Sequence, residues 1–216
     1  MQPESSVLLI FDFDNTLIDS RINFSELRAA LIDLLETAAS LPAPRAELMR
    51  LPIHGLVELG QERSQDLARR MWGLIETFEA EGLEGAEVMP HAHDVLEALA
   101  SRGYRLALLT NNARPATARL LEALGLAAFL PLVVTRDDVP RLKPDPAGIR
   151  LILERVGPIR LCYVVGDSWL DGQAAHAAGV RFIGFGPRQR EVAARGVAAW
   201  AWVTDLRELL ALSLDS

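Results

Sequence analysis

The sequence predicts an α/β fold: a doubly wound parallel sheet with a small all-helical subdomain inserted after the first strand. Three observations predict it. Short apolar runs recur with helical patterns between them, and alternation at that spacing builds a parallel sheet with helices on both faces. The alternation breaks once, from about residue 21 to residue 88, where only helical periodicity is found. The length, 216 residues, suits one domain or one domain with an insertion.

The first strand is Val7 to Phe13, VLLIFDF, too short for a helix and apolar enough to be buried on both faces. In the segment that follows, Phe24, Leu27, Leu31, Leu34, Leu35 and Ala38 keep helical spacing, and Leu67, Met71, Leu74, Ile75 and Phe78 do so again. Pro42, Pro44 and Pro52 divide this segment into separate helices. The core is therefore assigned residues 1–20 and 89–216, and the helical insert residues 21–88. Further strands are expected at Tyr104–Thr110, Leu130–Thr135, Leu161–Gly166 and Val180–Phe185. Helices precede Gly103 (Val95, Leu96, Leu99) and Gly125 (Leu120, Leu121, Leu124). Another follows Asp145-Pro146, an N-cap with proline at the first helical position, and carries Ile149, Ile152, Leu153 and Val156. Trp200 and Trp202 read as a last packed edge.

Composition narrows the function. Half the residues are hydrophobic and the net charge is −7, which argues against a broad basic surface for nucleic acid. Cys162 is the only cysteine; it excludes an internal disulfide, fits a reducing compartment and reads as a small buried hydrophobe. MQPESS at the start lacks a basic segment before an apolar one, and no run of about 18 apolar residues follows. The expected location is cytoplasmic, with no membrane partner. Of the 22 basic residues, Lys143 is the one lysine.

In an open α/β sheet, ligands bind beyond the carboxyl ends of the strands. There the sequence gathers Asp12, Asp14, Asn15 and Thr16; Thr110, Asn111 and Asn112; Lys143 before Pro144; and Gly166, Asp167, Ser168 and Asp171. Carboxylates so close repel one another without a cation, and hard oxygen ligands point to Mg²⁺. A lysine, a threonine and backbone N–H groups near helix starts suit a phosphoryl group.

The order DxDxT, a strand ending in Thr-Asn, Lys-Pro and then GDxxxD resembles the haloacid dehalogenase-like hydrolase superfamily. More narrowly it is similar to the phosphoglycolate-phosphatase-like branch, which has a helical cap between the first and second motifs. The resemblance spans essentially the whole chain and implies a Rossmann-like core with residues 21–88 as the cap. It implies that Asp12 is a nucleophile forming an aspartyl phosphate. Asp14 would be the acid and then the base. Thr110 and the backbone of Asn111 would bind the substrate phosphate, with Lys143 neutralising charge. Mg²⁺ would be held by Asp12, the backbone carbonyl of Asp14 and Asp167, with Asp171 acting directly or through water. Asn15 stands where the family often has glycine; asparagine tolerates unusual backbone angles.

The function so implied is Mg²⁺-dependent hydrolysis of a small phosphorylated metabolite, a phosphoglycolate-like phosphomonoester, by a monomer or homodimer. A sugar phosphomutase of the same superfamily is the alternative, and a non-catalytic regulatory or binding protein on the same fold is the alternative from another class. Asp14 argues against a dehalogenase, which needs no acid there. The absence of lysine from residues 21–88 counts against the phosphonate hydrolases and mutases that use a cap lysine.

Overall fold

The computed structural model describes residues 7–215; the MQPESS segment, read above as lacking a signal, lies outside them. The strands are β1 (Val7–Phe11), β2 (Ile18–Asp19), β3 (Glu87–Val88), β4 (Arg105–Leu109), β5 (Leu132–Val134), β6 (Leu161–Gly166), β7 (Arg181–Phe185) and β8 (Ala201–Val203). The helices are α1 (Phe24–Ala38), α2 (Arg45–Leu48), α3 (Ile53–Arg63), α4 (Gln65–Leu83), α5 (Ala92–Ser101), α6 (Arg114–Ala123), α7 (Ala147–Val156), α8 (Trp169–Ala178) and α9 (Gln189–Ala194). Among the described residues, no helix is long and apolar enough to cross a membrane.

Six strands form one parallel sheet in the order β5-β4-β1-β6-β7-β8. From β1 the chain winds outward through β4 to β5, then returns to the other side of β1 and winds through β6 and β7 to β8. The winding direction reverses beside β1, and in an open sheet that reversal opens a crevice at the strands' carboxyl ends. All five residues of β1 are buried, which is why this strand reads as an unbroken apolar run. On one face Leu8, Ile10, Ala107, Leu109, Cys162 and Val164 pack with Ile149 and Ile152 of α7 and Ala174 and Ala175 of α8. Each buried leucine or isoleucine contributes about 1.5–3 kcal/mol relative to exposure.

The expected strands are all present: Leu161–Gly166 has the expected bounds, and the other four are each shorter by one to three residues in all. α7 starts at Ala147, one residue past the expected proline, and Asp145 still accepts the Ala147 N–H at 2.9 Å. Three short strands were not foreseen. Ile18–Asp19 pairs antiparallel with Glu87–Val88, so residues 87 and 88 form strand rather than continuing the helical segment. β8 closes the sheet beyond β7, and the Trp202 indole lies directly over Gly184: a Cβ there would fall 2.1 Å from the ring.

The chain divides into two compact units, Met1–Ser20 with Glu87–Ser216, and Arg21–Ala86. The second is helical, with a core of its own that includes Leu27, Leu31 and Leu35 of α1, Leu56 of α3, and Leu67, Met71 and Ile75 of α4.

Candidate active site

β1 ends at Phe11, and the chain then turns sharply. The Phe13 carbonyl accepts N–H groups from Thr16, Leu17 and Ile18 at 3.0–3.3 Å, while Asn15 takes a positive φ of 58°, an angle asparagine visits more readily than most residues. This turn lifts Asp12 and Asp14 off the strand end. Asp12 stays anchored to the sheet, its N–H donating to the Val165 carbonyl of β6 at 2.8 Å. Asp12, Asp14, Thr16, Thr110, Asn112, Lys143, Asp167 and Asp171 are all buried.

Lys143 is the hub. Its Nζ donates to Asp12 Oδ1 at 2.5 Å, Asp171 Oδ1 at 2.7 Å and the Leu109 carbonyl at 3.1 Å, which uses all three ammonium protons. Asn111 holds its backbone from both sides: Asn111 Nδ2 donates to the Lys143 carbonyl at 3.1 Å, and Asn111 Oδ1 accepts the Lys143 N–H at 3.0 Å. Burial alone would lower the affinity of Lys143 for its proton, but the carboxylates of Asp12 and Asp171 outweigh it and raise the pKa above its ordinary value.

Asp12, Asp167 and Asp171 each offer a carboxylate oxygen within 4.8 Å of the others, a buried group that could hold a metal ion. Burial and then Asp171, together with Asp167 and Asp14, push Asp12 well above its ordinary range, with Lys143 opposing. Asp167 is pushed up to about 7 by burial and Asp171, although Arg188 and Lys143 pull it down. A divalent cation would relieve this crowding, and hard carboxylate oxygens are donors that suit Mg²⁺.

Asp171 also works for its helix. Ser168 caps α8, and its N–H and Oγ donate to Asp171 Oδ2 at 3.2 and 2.5 Å, a capping-box exchange. Gly166 makes room for this, since a Cβ there would lie 2.5 Å from Asp171 Cγ.

Asp14 stands apart from the three-carboxylate group. Its Oδ2 accepts from Asn112 Nδ2 at 2.7 Å, and its Oδ1 is buried without a hydrogen-bond partner. Burial raises its pKa, while Ser20 and Asn112 beside it favour the ionised form. Ser20 Oγ is likewise buried and makes no hydrogen bond of ordinary geometry. Thr110 Oγ1 accepts the Asn112 N–H at 3.1 Å, leaving the hydroxyl proton free to donate elsewhere. Thr16 Oγ1 reaches Asp12 Oδ2 at 3.3 Å.

Every carboxylate and the Thr-Asn pair named from the sequence thus lie along one rim, at the ends of β1, β4 and β6, and the lysine reaches it from the segment between β5 and α7. Asn112 was gathered on this rim from the sequence but given no role of its own. Arg188 was not singled out; its Nη1 lies 2.9 Å from Asp167 Oδ2, and it follows the end of β7, so the rule that gathered the others reaches it too.

Residues 7–179 match the family model for haloacid dehalogenase-like hydrolases. The chain is 32% identical to a phosphoglycolate phosphatase of Shigella dysenteriae, over 81% of this chain and 79% of that one. It is 34% identical to a phosphoglycolate phosphatase of Yersinia pseudotuberculosis, over 81% and 78% respectively. A haloacid dehalogenase-like family hydrolase from Streptococcus pneumoniae shares the fold, with a TM-score of 0.67 at 20% identity and coverage of 94% and 96%. On a six-stranded parallel sheet with the carboxylates and the lysine in motif order, this match is decisive: the chain belongs to the haloacid dehalogenase-like hydrolases.

Proposed function

We propose that this protein is a Mg²⁺-dependent phosphatase that hydrolyses a small phosphorylated metabolite through an aspartyl phosphate on Asp12. The observation that carries the reading is the ammonium of Lys143 buried between Asp12 and Asp171, beside Asp167. Phosphoryl transfer asks mainly for positioning and charge neutralisation, and this cluster supplies both.

Asp12 is the nucleophile. Its carboxylate attacks phosphorus as the ester oxygen departs, and Lys143 draws off negative charge at that carboxylate. The Thr110 hydroxyl and the Asn111 backbone N–H are assigned to the phosphoryl oxygens, because the Asn111 side chain is engaged by Lys143. Asp14 protonates the departing oxygen and then takes a proton from the attacking water. Asp12, Asp167 and the Asp14 carbonyl would hold Mg²⁺, which when bound neutralises charge on the phosphoryl group. Asp171 has both oxygens engaged by Lys143 and Ser168, so it is assigned a supporting place around the metal.

The helical unit, residues 21–86, is proposed as the cap that selects the substrate. Phosphoglycolate is the leading candidate, because both relatives above are phosphoglycolate phosphatases. A panel of phosphorylated metabolites tests the reading. Mg²⁺-dependent phosphate release that EDTA abolishes is expected, with phosphoglycolate among the best substrates. Isomerisation of a sugar phosphate without net release would favour a mutase, and inertness toward the whole panel would favour a binding protein.

A further inference from the structure

The two oxygens of Asp14 differ in their surroundings. Oδ2 accepts the Asn112 amide proton at 2.7 Å, whereas Oδ1 is buried without a hydrogen bond of ordinary geometry, with the Ser20 hydroxyl beside the carboxyl group. Asn112 is itself held at both backbone groups: its N–H donates to Thr110 Oγ1 at 3.1 Å, and its carbonyl accepts the Arg136 N–H at 3.0 Å. With its backbone pinned and its side chain buried, the amide has little freedom to swing away. A side-chain –NH₂ only donates, so the oxygen facing it serves as the acceptor.

We propose that Asn112 is a positioning residue for the reaction: by occupying Oδ2 of Asp14 it leaves Oδ1 as the oxygen that delivers and collects the proton. This inference rests on the assignment of Asp14 as acid and base. As an Asp12 oxygen bonds to phosphorus, the electron pair of the ester P–O bond leaves with the ester oxygen, which takes the proton from Oδ1. The resulting Asp14 carboxylate keeps its Asn112 bond through Oδ2. In the second half, water oxygen bonds to phosphorus and Oδ1 takes one water proton. The P–O bond to Asp12 breaks and returns its electron pair to that carboxylate. Without Asn112 the carboxyl group can rotate, and the proton is no longer presented along one direction.

The sequence pattern alone would not assign this. Asn112 reads as the third residue of a Thr-Asn-Asn turn, and the pairing joins residues 98 positions apart.

The test compares leaving groups. Asn112→Ala removes the donor and leaves a space, and Asn112→Leu removes it while filling the space. Each is assayed on p-nitrophenyl phosphate, whose leaving group needs little protonation, and on glycerol 2-phosphate, whose alkoxide needs it, with Asp14→Asn alongside. Both Asn112 variants should lose roughly tenfold or more in kcat on the alkyl ester but less than about threefold on the aryl ester, a part of the 10²–10⁴ that general acid–base catalysis supplies. KM should move little. If Asp14→Asn shows that bias while the Asn112 variants lose activity equally on both substrates, or on neither, Asn112 is a strut and the inference falls while the role of Asp14 stands. If Asp14→Asn shows no bias, the assignment of Asp14 fails and takes the inference with it. Circular dichroism monitors folding, and if neither Asn112 variant folds, the residue's role is structural and the inference is overturned.

Discussion

Lys143 shows how much one residue can carry. It is the one lysine among 22 basic residues, so arginine serves wherever a generic positive charge is wanted. The structure supplies a reason for the exception. Three acceptors converge on a single nitrogen at 2.5–3.1 Å, a geometry that a compact ammonium meets and a planar, forked guanidinium does not. Lys143→Arg should keep the charge yet lose roughly 100-fold in kcat/KM, about 2.7 kcal/mol of transition-state stabilisation; steady-state kinetics on p-nitrophenyl phosphate would check this, and near-native values would contradict it. The lysine was legible because it is unique and precedes a proline, and the aspartates because carboxylates ending an apolar strand need a partner. Asn112 and Arg188 were harder to assign. Their partners, Asp14 and Asp167, come from other strand ends, and the sequence does not say which side chain of a rim meets which. Asn15 was legible, since its positive φ is the angle an asparagine in place of glycine suggests.

At the scale of elements, the signal followed strand length and burial. β1, β4, β6 and β7 are runs of five or six residues, mostly buried, and such runs stand out from the helices around them. β2 and β3 have two residues each, too few to show any period, so their pairing is a consequence of the tertiary fold. β8 lies at the sheet edge, and only Trp202 and the adjacent Trp200 marked it. The β6–α8 junction gives the sharpest element-level prediction. Gly166 ends β6 where the Asp171 carboxyl packs against it, and an added Cβ would lie 2.5–2.7 Å from three Asp171 atoms. Gly166→Ala should therefore push the first turn of α8 away and move Asp171 from Lys143 and Ser168. The expected cost is about 1–3 kcal/mol of stability, as for overpacking, together with weaker stabilisation by Mg²⁺. Denaturant melts with and without the metal measure both, and an unchanged response to Mg²⁺ would show that α8 adapts without disturbing Asp171.

For the whole molecule, the crowded carboxylates tie stability to pH and to metal. Asp167 sits near 7 in the folded chain against an ordinary value of 3.8, and Asp12 is also raised. The metal-free folded state then keeps protons that the unfolded chain has released, so these groups contribute stability at low pH that is lost as pH rises from about 4 through 7. Mg²⁺ held by these carboxylates would have to displace those protons, so its binding should strengthen over the same window. At a fixed Mg²⁺ concentration the increase in Tm should be larger at pH 8 than at pH 5.5; an increase independent of pH would place the metal elsewhere. The central claim, that phosphate passes through Asp12, has a direct test. Protein turning over p-nitrophenyl phosphate with Mg²⁺ is quenched and reduced with borohydride, which converts an aspartyl phosphate to homoserine, and the peptide containing residue 12 is sequenced by mass spectrometry. Homoserine at position 12, absent from the Asp12→Asn protein, is the predicted result; homoserine at another aspartate, or none during active turnover, would contradict the account.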